Sequence, residues 1–186
     1  MFRISDVMPH ASGCLTEEKF DCAGYAKRLC PLFEGLANPP LQGDAVLPSA
    51  RARQQTWRLA RTATAAAAMM DTSSLKVIGD SVERVGRLSK MERDRRIHHY
   101  VRANLFVARG ALAEAADEYR QAIEQPTFGY TRINLELGRV LLVLRRPQEA
   151  VRVVRAALDG HLESNNYYVT RTELHELLAK SFDAAG

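Results

Sequence analysis

Beyond residue 48, apolar residues return every three or four positions, and no stretch alternates apolar with polar for long enough to make a strand. The pattern predicts an all-α chain of about eight helices. Thr16, followed by Glu17 and Glu18, is an N-cap with acidic residues at the positive helix end. That helix should close near Cys30, because Pro31 disfavours helical geometry in the residue before it. The run "EGLANPPLQGDAVLP" at 34–48 holds two glycines and three prolines and reads as a linker. Ser49 then opens a long Ala/Arg helix to about Met70, and a second helix runs from about Leu75 to Leu88. From Arg93 onward helices alternate with breaks at Gly110, "QPTFG", "RRP" and "DGHLESNN". Three sections result: 1–48, an N-terminal helix plus linker; 49–92, a helical hairpin; and 93–186, a further set of helices.

The last section repeats. Aligning "ANLFVARGALAEAADEYRQAIEQP" with "GRVLLVLRRPQEAVRVVRAAL" pairs Ala103 with Gly138, Phe106 with Leu141, Ala115 with Ala150, Tyr119 with Val154 and Ala122 with Ala157, at a constant offset of 35. At the C-terminus Ala179, Phe182 and Gly186 take the positions of Ala103, Phe106 and Gly110, after a longer interval of 41. The small residue lets the first helix of a pair approach its partner, and Gly110 permits a tight turn. The second helix then presents small, large and small residues on one face.

Ala103, Phe106, Gly110, Ala115, Tyr119, Ala122 and Pro126 together meet the motif small-x2-large-x3-Gly-x4-Ala-x3-aromatic-x2-Ala-x3-Pro. In this respect residues 93–186 resemble the tetratricopeptide repeat family, whose period is about 34. The second copy departs at Arg145, Val154 and His161, where the family has glycine, aromatic and proline. The hairpin over 49–92 is a candidate degenerate repeat. A weaker resemblance, carried by "GYTRINLELGR" and "YVTRTELHELLAKSFDAAG", is to the helical-repeat portions of large bacterial regulatory proteins.

The resemblance implies a right-handed α-α superhelix of helical hairpins whose first helices line a concave groove for a protein partner. Carried over position by position, the groove residues are Ile97, Tyr100 and Asn104, then Arg132, Leu135 and Arg139, then Glu173, Glu176 and Lys180. Only Asn104 matches the Lys/Asn set with which the family clamps a peptide's terminal carboxylate, so binding of chaperone tails is not expected. The last repeat looks incomplete: "TELHELLAKSFDAAG" carries the inward pattern of a first helix with no second helix after it. Leu174, Leu178 and Phe182 would then form an open-end interface, completed by a continuing chain or by another protein.

Composition adds little to this and excludes several classes. Apolar residues at 46% with 26% charged describe a globular chain rather than a disordered one. The longest apolar candidate, "ATAAAAMM", is too short to span a bilayer, and "MFRISDVMPHASG" has no apolar core of a secretory signal, so the expected compartment is the cytoplasm. Net charge is +4, with the excess in the basic stretch 84–102: Arg84, Arg87, Lys90, Arg93, Arg95, Arg96 and Arg102. Such a stretch can meet nucleic acid, or it can be a solvated helix surface, because Glu83, Glu92 and Asp94 interleave. Cys14, Cys22 and Cys30 recur every eight residues. In one helix that step is about 12 Å, beyond the ~7 Å a disulfide spans, so free thiols are expected unless a distant segment bridges to one.

Catalytic chemistry finds no support. Gly79-Asp80-Ser81 resembles the nucleophile block of one esterase family, but Thr172 stands where the required acid should precede His175, and the segment reads as helix rather than strand and turn. His98 and His99 are adjacent and diverge on a helix, which suits no shared metal. Glu136, with Arg132 and Arg139, reads as a surface pair. The sequence therefore predicts a non-catalytic scaffold or adaptor that docks a protein partner as a peripheral subunit of a larger assembly, with no cofactor, metal or small-molecule substrate. The alternative is a regulatory module contacting nucleic acid through residues 84–102.

Overall fold

The structure, a computed structural model, describes residues 48–124, 131–160 and 169–186. Seven helices run through them: α1 Pro48–Ala68, α2 Thr72–Gly86, α3 Glu92–Ala108, α4 Leu112–Ala122, α5 Thr131–Val143, α6 Pro147–Asp159 and α7 Arg171–Ala185. No strand occurs among the described residues. The expected helix after Thr16, the linker up to its last residue, and Cys14, Cys22 and Cys30 all lie outside them, as does Pro126.

Consecutive helices pack as hairpins, α1 with α2, α3 with α4 and α5 with α6. In addition α1 lies against α3, and α7 lies against α6 and α5. The three hairpins turn in the same way. Met70, Gly110 and Arg145 each take a positive φ, of 55°, 76° and 59°. Each turn closes with the same two backbone bonds: Met70 N to Ala67 O with Asp71 N to Ala66 O, Gly110 N to Val107 O with Ala111 N to Phe106 O, and Arg145 N to Leu142 O with Arg146 N to Leu141 O. These bonds satisfy carbonyls that the ends of α1, α3 and α5 would otherwise leave unpaired.

Burial repeats in step with the turns. Seven residues before each turn stand Ala63, Ala103 and Gly138, and ten before stand Ala60, Tyr100 and Leu135. Five, nine and twelve residues after them come Leu75, Gly79 and Val82 in α2, Ala115, Tyr119 and Ala122 in α4, and Ala150, Val154 and Ala157 in α6. All fifteen are buried. The hairpin over 49–92 thus shares one register with the two that follow. Close approach is most severe at Gly138, where an added Cβ would sit 2.8 Å from Val154 Cγ2 and 3.1 Å from Leu177 Cδ2.

α7 does not follow the expected register. Ala179, the predicted small interior position, is exposed, while Leu174, Leu177 and Ser181 are buried. Leu177 is the residue that meets Gly138, so the third copy is displaced by two positions from the sequence alignment. Large leucines spaced for one helix face win over a single small residue, because they remove more apolar area from water.

Two core clusters fill the interior. The larger joins α1 through α6 around Tyr100, Tyr119, Trp57 and Leu137, and the smaller sets Leu135, Val154 and Ala157 against Val169, Leu174 and Leu177. A polar node ties α1 to the start of α3. Asp94, fully buried, accepts Trp57 Nε1–H at 2.7 Å and the Ser89 hydroxyl at 2.6 Å. Gly86 makes room for it: a Cβ there would lie 2.6 Å from the Asp94 carbonyl oxygen.

Candidate functional site

The charged residues of α5 and α7 converge. Arg132 and Arg139, one turn to either side of Glu136 on α5, each bond its carboxylate at 3.2 Å. Arg139 also reaches Glu173 of α7, at 3.9 Å. These side chains keep only 12%, 7%, 14% and 24% of their exposure for Arg132, Arg139, Glu136 and Glu173, so the group is no surface pair, contrary to the sequence expectation. A half-desolvated ion cluster is held more rigidly than an exposed one, because water competes less for each partner. Burial alone would raise the Glu173 pKa, but the Thr170 N–H and hydroxyl, with Arg132 and Arg139, hold it below the usual glutamate range.

Beside this cluster the hydroxyl of Tyr119 donates to Asn104 Oδ1 at 2.7 Å, and Tyr100 shares a 3.0 Å bond with Thr64. The two rings lie 6.2 Å apart. Burial, and then the negative charge of Glu136, push both phenol pKa values up, Tyr119 the further. Both therefore remain neutral hydrogen-bonding groups at physiological pH. The Asn104 amide nitrogen is buried with no hydrogen-bond partner.

Of the nine predicted groove residues, the structure gathers Arg132, Arg139 and Glu173, and places Asn104 next to Tyr119. Glu176 and Lys180 are exposed and pair with each other at 2.7 Å. Ile97, Tyr100 and Leu135 correct the expectation: at 0%, 1% and 0% exposure they are core. Tyr100 faces Thr64 of α1 as well as Tyr119 of α4, and Leu135 packs with Val154 and Ala157 of α6 and with Leu174 and Leu177 of α7. Glu136 was missed as the hub, although its i,i+3 and i,i+4 spacing to two arginines was legible.

The open-end set divides similarly. Leu174 is fully buried in the smaller cluster, a second correction, and Leu178 is half-buried against that cluster. Phe182 is 43% exposed, with the Arg155 guanidinium 4.9 Å over its ring. The basic stretch is largely neutralised from within. Glu83 holds Arg87 and Arg102, Glu92 holds Arg95 and Arg96, and Arg93 stacks 4.8 Å over Trp57. Arg84 and Lys90 are exposed and make no ion pair among the described residues.

For catalysis the geometry offers little. Ser81 lies inside α2 and donates back to the Val77 carbonyl at 2.9 Å, and no strand occurs among the described residues. His98 and His99 stack at 4.0 Å, but their Nδ1–H groups are spent on the Arg95 carbonyl and the Glu118 carboxylate. Among the described residues no three His, Cys, Asp or Glu side chains group to hold a metal, and no helix is long and apolar enough to cross a membrane. No protein-family model matches the chain, and no curated protein or solved structure matches it at a significant level.

Proposed function

We propose that this chain is a non-catalytic helical-repeat scaffold, similar in plan to tetratricopeptide repeat proteins, that docks a protein partner along its successive first helices. The observation that carries the reading is the recurrence of one hairpin register three times, with turns at Met70, Gly110 and Arg145 and burial at matching offsets. A repeat that buries its faces only against its neighbours yields an extended surface rather than a single catalytic cleft. The Arg132–Glu136–Arg139–Glu173 cluster supplies fixed charges for a complementary partner, and the Glu176–Lys180 pair and Phe182 supply exposed contact area on α7. The stretch 84–102 lends less support to contact with nucleic acid, because Glu83 and Glu92 already hold four of its arginines.

The test is affinity capture with the intact chain and two surface variants, Glu176→Arg and Phe182→Asp, each checked for an unchanged helical spectrum. The expected result is a protein retained by the wild type and at least tenfold less by either variant, with Arg84→Gln unaffected. Retention indifferent to both substitutions, or a turnover found in a substrate screen, would sink the reading.

A further inference from the structure

Among the described residues six large apolar side chains stand exposed, and two of them, Leu88 at 67% and Met91 at 46%, share the short turn 87–91 between α2 and α3. Water-facing turns are usually built from Gly, Asn, Asp and Ser. Here the serine is turned inward. Ser89 is buried, its hydroxyl donates to Asp94 at 2.6 Å, and its carbonyl accepts the Arg95 Nε–H at 3.1 Å. Leu88 N–H bonds the Val85 carbonyl at 3.0 Å, and Met91 N–H bonds the Ser89 hydroxyl at 3.1 Å. The backbone is thereby fixed, with Leu88, Lys90 and Met91 left outside. Cations flank these apolar tips along the chain. Residues 83–96 hold six basic and three acidic side chains. Glu83 is engaged by Arg87 and Arg102, Glu92 by Arg95 and Arg96, and Asp94 is buried. Arg84 and Lys90 are exposed and make no ion pair among the described residues.

We propose that this turn docks the protein on an anionic lipid surface, with Leu88 and Met91 entering the boundary between headgroups and acyl chains and Arg84 and Lys90 meeting the headgroup anions. Shallow apolar insertion and a few basic side chains are each weak alone, and stable peripheral binding combines the two. Lysine and arginine suit the boundary, because their stems lie along apolar surface while their heads stay in water. Nucleic acid would use the two cations but would gain nothing from Leu88 and Met91. A protein interface buries about 800 Å² per partner, more than so short a turn presents. The surface is separate from the contact area on α7, so the two readings stand or fall independently.

The intact protein is floated with vesicles of phosphatidylcholine alone, and of phosphatidylcholine with about 30% phosphatidylserine, at low and at physiological salt. Binding to the anionic vesicles should exceed binding to the neutral ones about fivefold or more, and should weaken as salt rises. Leu88→Ser, Met91→Ser and the double variant Arg84→Gln/Lys90→Gln should each lower it about fivefold with an unchanged helical spectrum. Arg109→Gln, at an exposed position in the α3–α4 turn, and Phe182→Asp on α7 should change nothing. Leu88→Trp should bind more tightly, with its added emission shifted to the blue on vesicles, because tryptophan favours the membrane interface. No binding, equal binding to neutral vesicles, an equal loss in Arg109→Gln, or full binding by both serine variants would overturn the proposal. So would duplex DNA binding tighter than vesicle binding, lost in Arg84→Gln/Lys90→Gln and kept in Leu88→Ser, which would assign the turn to nucleic acid.

Discussion

At the scale of single residues the turns carry a testable asymmetry. Gly110 and Arg145 do the same work with opposite suitability: both sit at positive φ, but only glycine adopts that region without a Cβ clash. An added Cβ at Gly110 would meet nothing within 4 Å, so the cost of Gly110→Ala is conformational, about 1–2 kcal/mol. Arg145→Gly removes strain of that size and adds about 0.4–1 kcal/mol of unfolded-state entropy, leaving a small gain. Urea midpoints should therefore move in opposite directions, down for Gly110→Ala and slightly up for Arg145→Gly. Shifts of the same sign would show that the two turns are not equivalent. The sequence marked Arg145 as a departure from the repeat. A left-handed arginine is tolerated there because its side chain is exposed and the paired turn bonds hold the backbone.

At the scale of elements the hairpin α1–α2 shows why motif matching stops short. Its second helix buries Leu75, Gly79 and Val82, large-small-large, where α4 buries Ala115, Tyr119 and Ala122, small-large-small. The positions agree and the volumes are inverted, so a motif written in residue sizes misses a register that packing preserves; cores require the summed volume, not a given side chain at each site. The helix type was legible, and α2 was misjudged only at its ends, since Asp71 caps it three residues earlier than the apolar pattern suggests. Asp71 accepts Ser74 N–H at 3.0 Å and the Ser73 and Ser74 hydroxyls. The Ser74 hydroxyl first, then its N–H and Ser73, hold the carboxyl below the usual aspartate range. Its folded pKa is thus lower than its unfolded one of about 3.9, so the stabilisation is complete above that value and is lost as pH falls through the folded pKa. Asp71→Ala should cost about 1 kcal/mol at pH 7, with the gap to wild type closing below about pH 4. Asp71→Asn should keep most of the stability and lack that acid dependence, read from thermal melts between pH 3 and 7. A wild-type-to-Ala gap that does not narrow at all between pH 7 and pH 3 would refute the cap.

At the scale of the whole molecule, all-α class and hairpin order followed from periodicity, whereas the site did not. Its charged members Arg132, Arg139 and Glu173 were named from the repeat register, but that register alone cannot say which side of a first helix its partner covers, and Ile97, Tyr100 and Leu135 went inside. The same uncertainty misplaced α7, whose Leu177 rather than Ala179 meets Gly138. The consequence is an uneven distribution of stability. α3 places Ile97, Tyr100, Val101, Ala103 and Val107 in the larger cluster, while α7 buries Leu174, Leu177 and Ser181 and leans on the smaller one. Opening α7 exposes little apolar surface, so it can occur without unfolding the hairpins, and such local opening has a low free energy and a shallow denaturant slope. Native-state hydrogen exchange should find the α7 amides opening well below the global free energy with a small slope, and the α3 amides opening only with global unfolding. Equal opening free energies and slopes for the two helices would mean that the smaller cluster is as strongly held as the larger, and that α7 is bound into a single cooperative unit.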